Sequence, residues 1–293
     1  MKEIIEFRIF KEHYHLLSKP NNAVFNGMAY VIYVERTDSV FEEIELLTRL
    51  VRKNPHDCFF GYSNIKRKYS KQELETATLL HMKIKTTFEP AGEECGTMYN
   101  ETEACELCGA NRKQAGSLKL KKGSVPNKDI ARTIAGEVVV SERLATAFKQ
   151  RRLKGAFLDA VSFDKGTSNY YQLTASSELG LTGATIAGVN LFDFSEGSDA
   201  TDFTVSGGHA VRLEKEIYKC PKGHTIGLNI LSELYVFDAP SIAENDFFAS
   251  RQKIGVKRGL LRPEPLYLCS PAFRKMVEEE KLRGFDFEIA RIQ

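Results

Sequence analysis

The sequence predicts an α+β protein made of two α+β halves. Three observations carry that expectation. Runs rich in β-branched and aromatic residues alternate with amphipathic segments that open on serine. One strand–helix–strand pattern occurs twice at a constant offset of 129 residues, and CELCG at 105–109 marks a metal-binding knuckle. The chain has 293 residues, of which 42% are apolar and 27% charged. Such a length buries roughly 75% of its unfolded surface, and such a composition excludes collagen, coiled coil and bulk disorder. No apolar run approaches the ~18 residues of a membrane span. The first fifteen residues, MKEIIEFRIFKEHYH, scatter charge through their apolar positions, unlike a signal peptide. A cytoplasmic protein with no membrane partner is the expectation.

Taken in order, residues 3–10 read as a strand, Pro20 to Gly27 as a turn region and 28–34 as a second strand. Ser39 with Glu42 forms a capping box ahead of Val40, Ile44, Leu47 and Val51, so 40–53 is a predicted helix. Ser70 with Glu73 opens another, expected to end near 82, with His81 in its last turn. Residues 86–126 lack periodicity and need an organiser. Residues 140–158 (VSERLATAFKQRRLKGAFL) and 269–287 (CSPAFRKMVEEEKLRGFDF) form the repeat. Ser141 and Ser270 are the N-caps, Pro271 suits the first helical position, and Gly155 and Gly284 suit the C-terminal one. Between the copies, 170–173, 184–194, 203–205, 209–218 and 225–237 are candidate strands or short helices. The expected division is an N-terminal half, 1–165, carrying the knuckle, and a C-terminal half, 166–293, contributing the remaining metal ligand.

Six cysteines in a chain that is neither short nor visibly secreted suggest metal rather than disulfides. Cys105 and Cys108 supply two sulfurs from one turn. Tetrahedral zinc needs four ligands, and Cys95, Cys220 and His224 compete for the other two places. The set Cys95, Cys105, Cys108, Cys220 ranks first; Cys105, Cys108, Cys220, His224 ranks second. Four protein ligands close a site to water, so the expected Zn2+ is structural. Cys58 and Cys269 sit in apolar runs and are expected to be inert core thiols.

No H-E-x-x-H, P-loop, G-x-S-x-G, G-x-G-x-x-G or deaminase H-x-E pattern occurs, and no catalytic residue is assigned. Arg258 and Arg262 in KRGLLRPEPL form a basic loop leading into a strand, with an anion clamp as the sharper alternative. A net charge of +2 gives no general pull toward nucleic acid. Locally, six Glu over 86–108 abut seven Lys and Arg over 110–132. These stretches either neutralise each other or form a bipolar rim that steers a partner.

The segments VVVSERLATAFKQRRLKGAFLDAV and YLCSPAFRKMVEEEKLRGFDFEIA, with CELCG and CPKGH, resemble bacterial immunity proteins of polymorphic toxins, of the double-CxxCG motif type, over 90–293. In CPKGH, Gly223 stands where that pattern has its second cysteine, leaving Cys95 or His224 as the replacement. The resemblance implies a non-enzymatic, zinc-stabilised protein that neutralises a cognate toxin. The alternatives are a zinc-ribbon nucleic-acid binder using 112–132, or a defence-system enzyme of unfamiliar type.

Overall fold

In the computed structural model, which describes residues 1–18, 23–51, 58–166, 168–188, 191–192, 201–205, 209–213 and 219–293, both serines of the repeat cap helices. Ser141 and Ser270 are extended, at φ −69° and −71°, and each Oγ accepts the N–H three residues on, from Leu144 and Phe273. Each cap stabilises its helix by about 1 kcal/mol. The helices Glu142–Gln150 and Pro271–Glu279 bury matching faces, Leu144, Ala147, Phe148 and Phe273, Met276, Val277. Beyond them, strands Ala156–Ala160 and Phe285–Ile292 complete each copy, as the 129-residue offset predicts. The chain is an α+β protein.

The duplication extends well past the repeat visible in the sequence. One sheet runs in the order Ala156–Ala160, Tyr170–Ala175, Val138–Ser141, Ile130–Thr133, Thr87–Phe88. The other runs Phe285–Ile292, Leu79–Ile84, Glu264–Cys269, Phe247–Ile254, Glu178–Leu179, and adds Leu234–Val236 outside the first of these. The two orders correspond strand for strand, and the five corresponding strands pair antiparallel except for the two-residue strand in each; Leu234–Val236 and Thr225–Gly227 add parallel pairs to the second sheet. The copies are therefore about 79–160 and 170–292. Each lends its first strand to the other's sheet: Leu79–Ile84 joins the second sheet and Tyr170–Ala175 the first.

Two aspartates lock the exchange. Asp129 accepts from Ser141 Oγ at 2.9 Å within its own copy and from the Arg283 N–H at 2.7 Å in the other. Asp246 accepts from Ser270 Oγ at 2.7 Å and from the Lys154 N–H at 2.9 Å. Their backbones repeat the exchange, Asp129 N–H donating to Arg283 O and Asp246 N–H to Lys154 O, both at 2.9 Å. Phe148 and Phe273 meet edge-on between the two helices, with ring centres 6.1 Å apart.

This duplicated body, 74–187 with 216–293, is the larger of two units; the smaller is 1–73 with 188–215. The boundary expected at 165/166 falls inside the larger one. In the smaller, strands Val24–Phe25, Ala29–Glu35, Lys2–Phe10 and Phe60–Lys68 form a four-stranded antiparallel sheet in that order. Ile5, Phe7, Ile9, Ile32 and Val34 point inward, with Val40 and Ile44 of helix Ser39–Val51 also buried. That helix is opened by Asp38, whose Oδ1 accepts from the Val40 N–H, rather than by the expected Ser39. The second capping box forms as expected, Ser70 and Glu73 each accepting the other's N–H, but its helix stops at Thr76. Residues 77–82 do not continue it: Leu79–Ile84 is a central strand, and His81 lies buried in it, 3.9 Å from Glu288. The expected turn around Pro20 to Asn22, the end of the first helix past Val51, and parts of the strands expected over 184–194 and 209–218 lie outside the described residues. Strands Thr201–Val205 and His209–Leu213 pair as an antiparallel ladder.

Candidate metal centre

Each copy of the duplication carries one ligand-bearing turn a similar distance ahead of its hairpin. In the first, the Cys105 N–H donates to Ala110 O at 2.8 Å and the Gly109 N–H to Cys105 O at 2.7 Å. In the second, the Cys220 N–H donates to Thr225 O at 3.1 Å and the Gly223 N–H to Cys220 O at 2.8 Å. Both bonds from the leading cysteine span five residues, so Cys220 is the counterpart of Cys105. The second turn closes one residue earlier. Its glycine takes the place of Cys108, and His224 supplies the fourth donor from the next position.

The structure brings together Cys105, Cys108, Cys220 and His224, with all four donor atoms within 4.8 Å of one another. The sulfurs of Cys105 and Cys220 are 3.9 Å apart, and His224 Nδ1 is 3.8 Å from both Cys108 and Cys220 Sγ. A tetrahedral ion with sulfur bonds of ~2.3 Å sets its ligands about 3.8 Å apart, so the four residues fit a metal ion with little adjustment. The cysteines are 6%, 1% and 3% exposed. Three buried thiols and an imidazole around one point have no apolar packing rationale that would select this donor set.

Electrostatics around the sulfurs support the same use. Burial pushes the Cys105 thiol up, but the N–H groups of Cys108 and Leu107, with His224, outweigh it and bring it down to about 6. Burial and the neighbouring Cys105 and Cys220 push Cys108 up to about 12. Without a cation Cys105 therefore gives up its proton more readily than Cys108. A divalent ion favours deprotonation of both, because thiolates are the ligands and protons leave as metal enters.

The first-ranked set is corrected on one residue. Cys95 ends the short turn Glu93–Cys95, and the groups acting on it are the Lys121 backbone and the carboxylates of Glu94, Asp164 and Glu137. Burial pushes its thiol up, and it stands outside the cluster. His224 takes its place, as in the second-ranked set. Cys269 is fully buried in its strand as expected, whereas Cys58 is exposed.

Two of the basic residues beside the centre, Arg112 and Lys113, pair with the acidic stretch. Arg112 Nη2 is 2.7 Å from Glu93, Arg112 Nε 3.2 Å from Glu101, and Lys113 pairs with Glu103. Arg132 pairs with Glu264. Fold and site together define a duplicated α+β protein with a candidate three-cysteine, one-histidine metal centre joining its two copies. No protein-family model matches this chain, and no curated protein does.

Proposed function

We propose that the chain is a zinc-stabilised protein-binding protein that neutralises a cognate bacterial toxin. Zinc is the metal that suits three sulfurs and one nitrogen in a tetrahedron, and four protein ligands make the site structural. The partner follows from the resemblance to immunity proteins of the double-CxxCG type. Purified protein is expected to carry about one zinc per chain, held less tightly as pH falls because protons compete for the thiolates. Elemental analysis of protein prepared without chelator checks this, and its absence overturns the zinc reading.

One observation carries the protein-binding reading. The outer face of the four-stranded sheet presents Tyr33 and Tyr62, 57% and 43% exposed. The Arg8 guanidinium lies 4.4 Å from the Tyr62 ring centre and the Lys66 ammonium 5.2 Å from that of Tyr33. Glu6, between them, accepts from Arg8 at 3.1 Å and Lys66 at 3.4 Å. Tyrosine and arginine are the residues that dominate interface energetics, and here their side chains are held in place before any partner arrives.

The test is co-expression with the product of the neighbouring gene. Cells should survive only with this chain present, and Tyr62→Ala or Tyr33→Ala should weaken the complex by roughly 10- to 100-fold, the range for a contributing anchor. Their melting temperatures should stay near that of the parent. Steeply salt-dependent RNA or DNA binding, with no effect on a co-encoded toxin, would overturn the proposal.

A further inference from the structure

A pocket of about 290 Å³ lies beside the metal centre. Its wall includes the turn residues Gly109 and Ala110, which directly follow Cys108, and strand residues from both sheets of the duplicated body. Three cationic side chains line it: Arg112, Lys253 and Arg262. They differ in what already holds them. Arg112 is matched by Glu93 and Glu101 and lies 3.6 Å from the ring centre of Tyr99. Lys253 has a single acceptor, Asn111 Oδ1 at 3.3 Å, leaving two ammonium donors. Arg262 gives Nη1 to the carbonyls of Gly259 and Leu261, and its Nη2 reaches Glu93 and Glu101 only at 3.7 and 3.9 Å. Its Nε, like that of Arg112, is buried with no hydrogen-bond partner.

The acceptors in the wall are largely spoken for. Glu137 is buried and takes the Tyr99 hydroxyl on one oxygen and the Thr133 hydroxyl on the other. Gln114 and Gln172 bond each other in both directions, at 2.9 and 2.8 Å. Glu178 is exposed. The pocket thus offers spare donors on two cations, Lys253 and Arg262, with Glu178 as the wall's unbonded carboxylate. A buried guanidinium N–H left without a partner costs stability, and a group that satisfies it recovers that cost.

We propose that this pocket binds a small oxyanion-bearing molecule, with its carboxylate or phosphate group held between Lys253 and Arg262. Charge-assisted bonds to an oxyanion are the strongest either side chain can make. The site is independent of the toxin-binding reading. It does depend on the metal centre, since the Lys253 N–H bonds His224 O at 2.8 Å and the Cys108 turn supplies part of the wall.

The experiment is calorimetric titration of the full, metal-loaded chain with inorganic phosphate and with succinate, at matched ionic strength in chloride. Saturable one-to-one binding of at least one, at millimolar Kd or tighter, is expected. Binding of phosphate alone assigns a phosphate-bearing ligand, and of succinate alone a carboxylate. Lys253→Met and Arg262→Gln should each weaken binding about tenfold or more, the loss of one charge-assisted bond. On the parent chain, the side-chain amide resonances of Gln114 and Gln172 should shift in step with saturation, which keeps the test intact if a variant fails to fold. No saturable binding of either anion, binding indifferent to both folded variants, or saturation without movement of those amides overturns the proposal.

Discussion

Cys108→Ser is expected to release the metal and to lower stability by on the order of 5 kcal/mol, a fraction of the ~10–16 kcal/mol that a structural zinc can supply. The serine hydroxyl is a poor ligand at neutral pH. It would also leave Cys105, Cys220 and His224 converging on nothing. The loss should be large because the centre joins turns from both copies of the duplication, so its removal loosens the 105–110 and 220–225 loops together. Cys95→Ser is the control. Its side chain stands apart from the cluster, and the substitution should change stability by no more than about 1 kcal/mol and leave metal content unchanged. Metal analysis and urea unfolding of both variants decide the matter. Metal retained in Cys108→Ser, or lost in Cys95→Ser, would show that the ligand set is wrong.

Gly155→Ala should destabilise the fold by about 3–5 kcal/mol, combining backbone strain of ~1–3 kcal/mol with overpacking of similar size. Gly155 sits at φ +96°, and a Cβ there would stand 2.2 Å from the carbonyl oxygen of Phe247. The obstacle is backbone, at the start of the strand Phe247–Ile254 and fixed by the Asp246–Lys154 bond, so it cannot turn aside. Gly284, at φ +114°, faces the Ile130 carbonyl oxygen at 2.4 Å in the equivalent place. Gly284→Ala should therefore cost about as much. A midpoint shift in urea present for one glycine and absent for the other would argue that the two crossings are not equivalent.

The parts of this fold legible in the sequence were those specified by neighbours in the chain. The helix caps at Ser141 and Ser270 depend on a side chain and an N–H three residues away, and both formed as read. The strand Leu79–Ile84 carries no strand pattern in the sequence because it is buried on both faces. Leu79, Leu80, His81 and Met82 are all inside, so no alternation marks the strand and the run merges with the capped helix before it. The metal site divides the same way. Cys105 and Cys108 declare themselves by spacing, whereas the choice between Cys95 and His224 depends on which turn the duplication carries to the same point. The extent of the duplication was hidden because the lent strands share no sequence pattern, only a position in the sheet order.

The lending of strands also bears on how the protein is made. Leu79–Ile84 pairs on one side with Glu264–Cys269 and on the other with Phe285–Ile292. At roughly 5–20 residues per second, the ~200 residues that separate these partners take about 10–40 s to synthesise. Through that interval Leu79, Leu80 and Met82, which end fully buried, have no sheet to enter. Tyr170–Ala175 faces no such delay, because both of its neighbours, Val138–Ser141 and Ala156–Ala160, have already left the ribosome. The first sheet can close early while the second waits for residues 285–292. A nascent chain paused before residue 285 should therefore hold a finished sheet beside an unfinished one, and the unfinished one is where holdase chaperones would find exposed apolar surface.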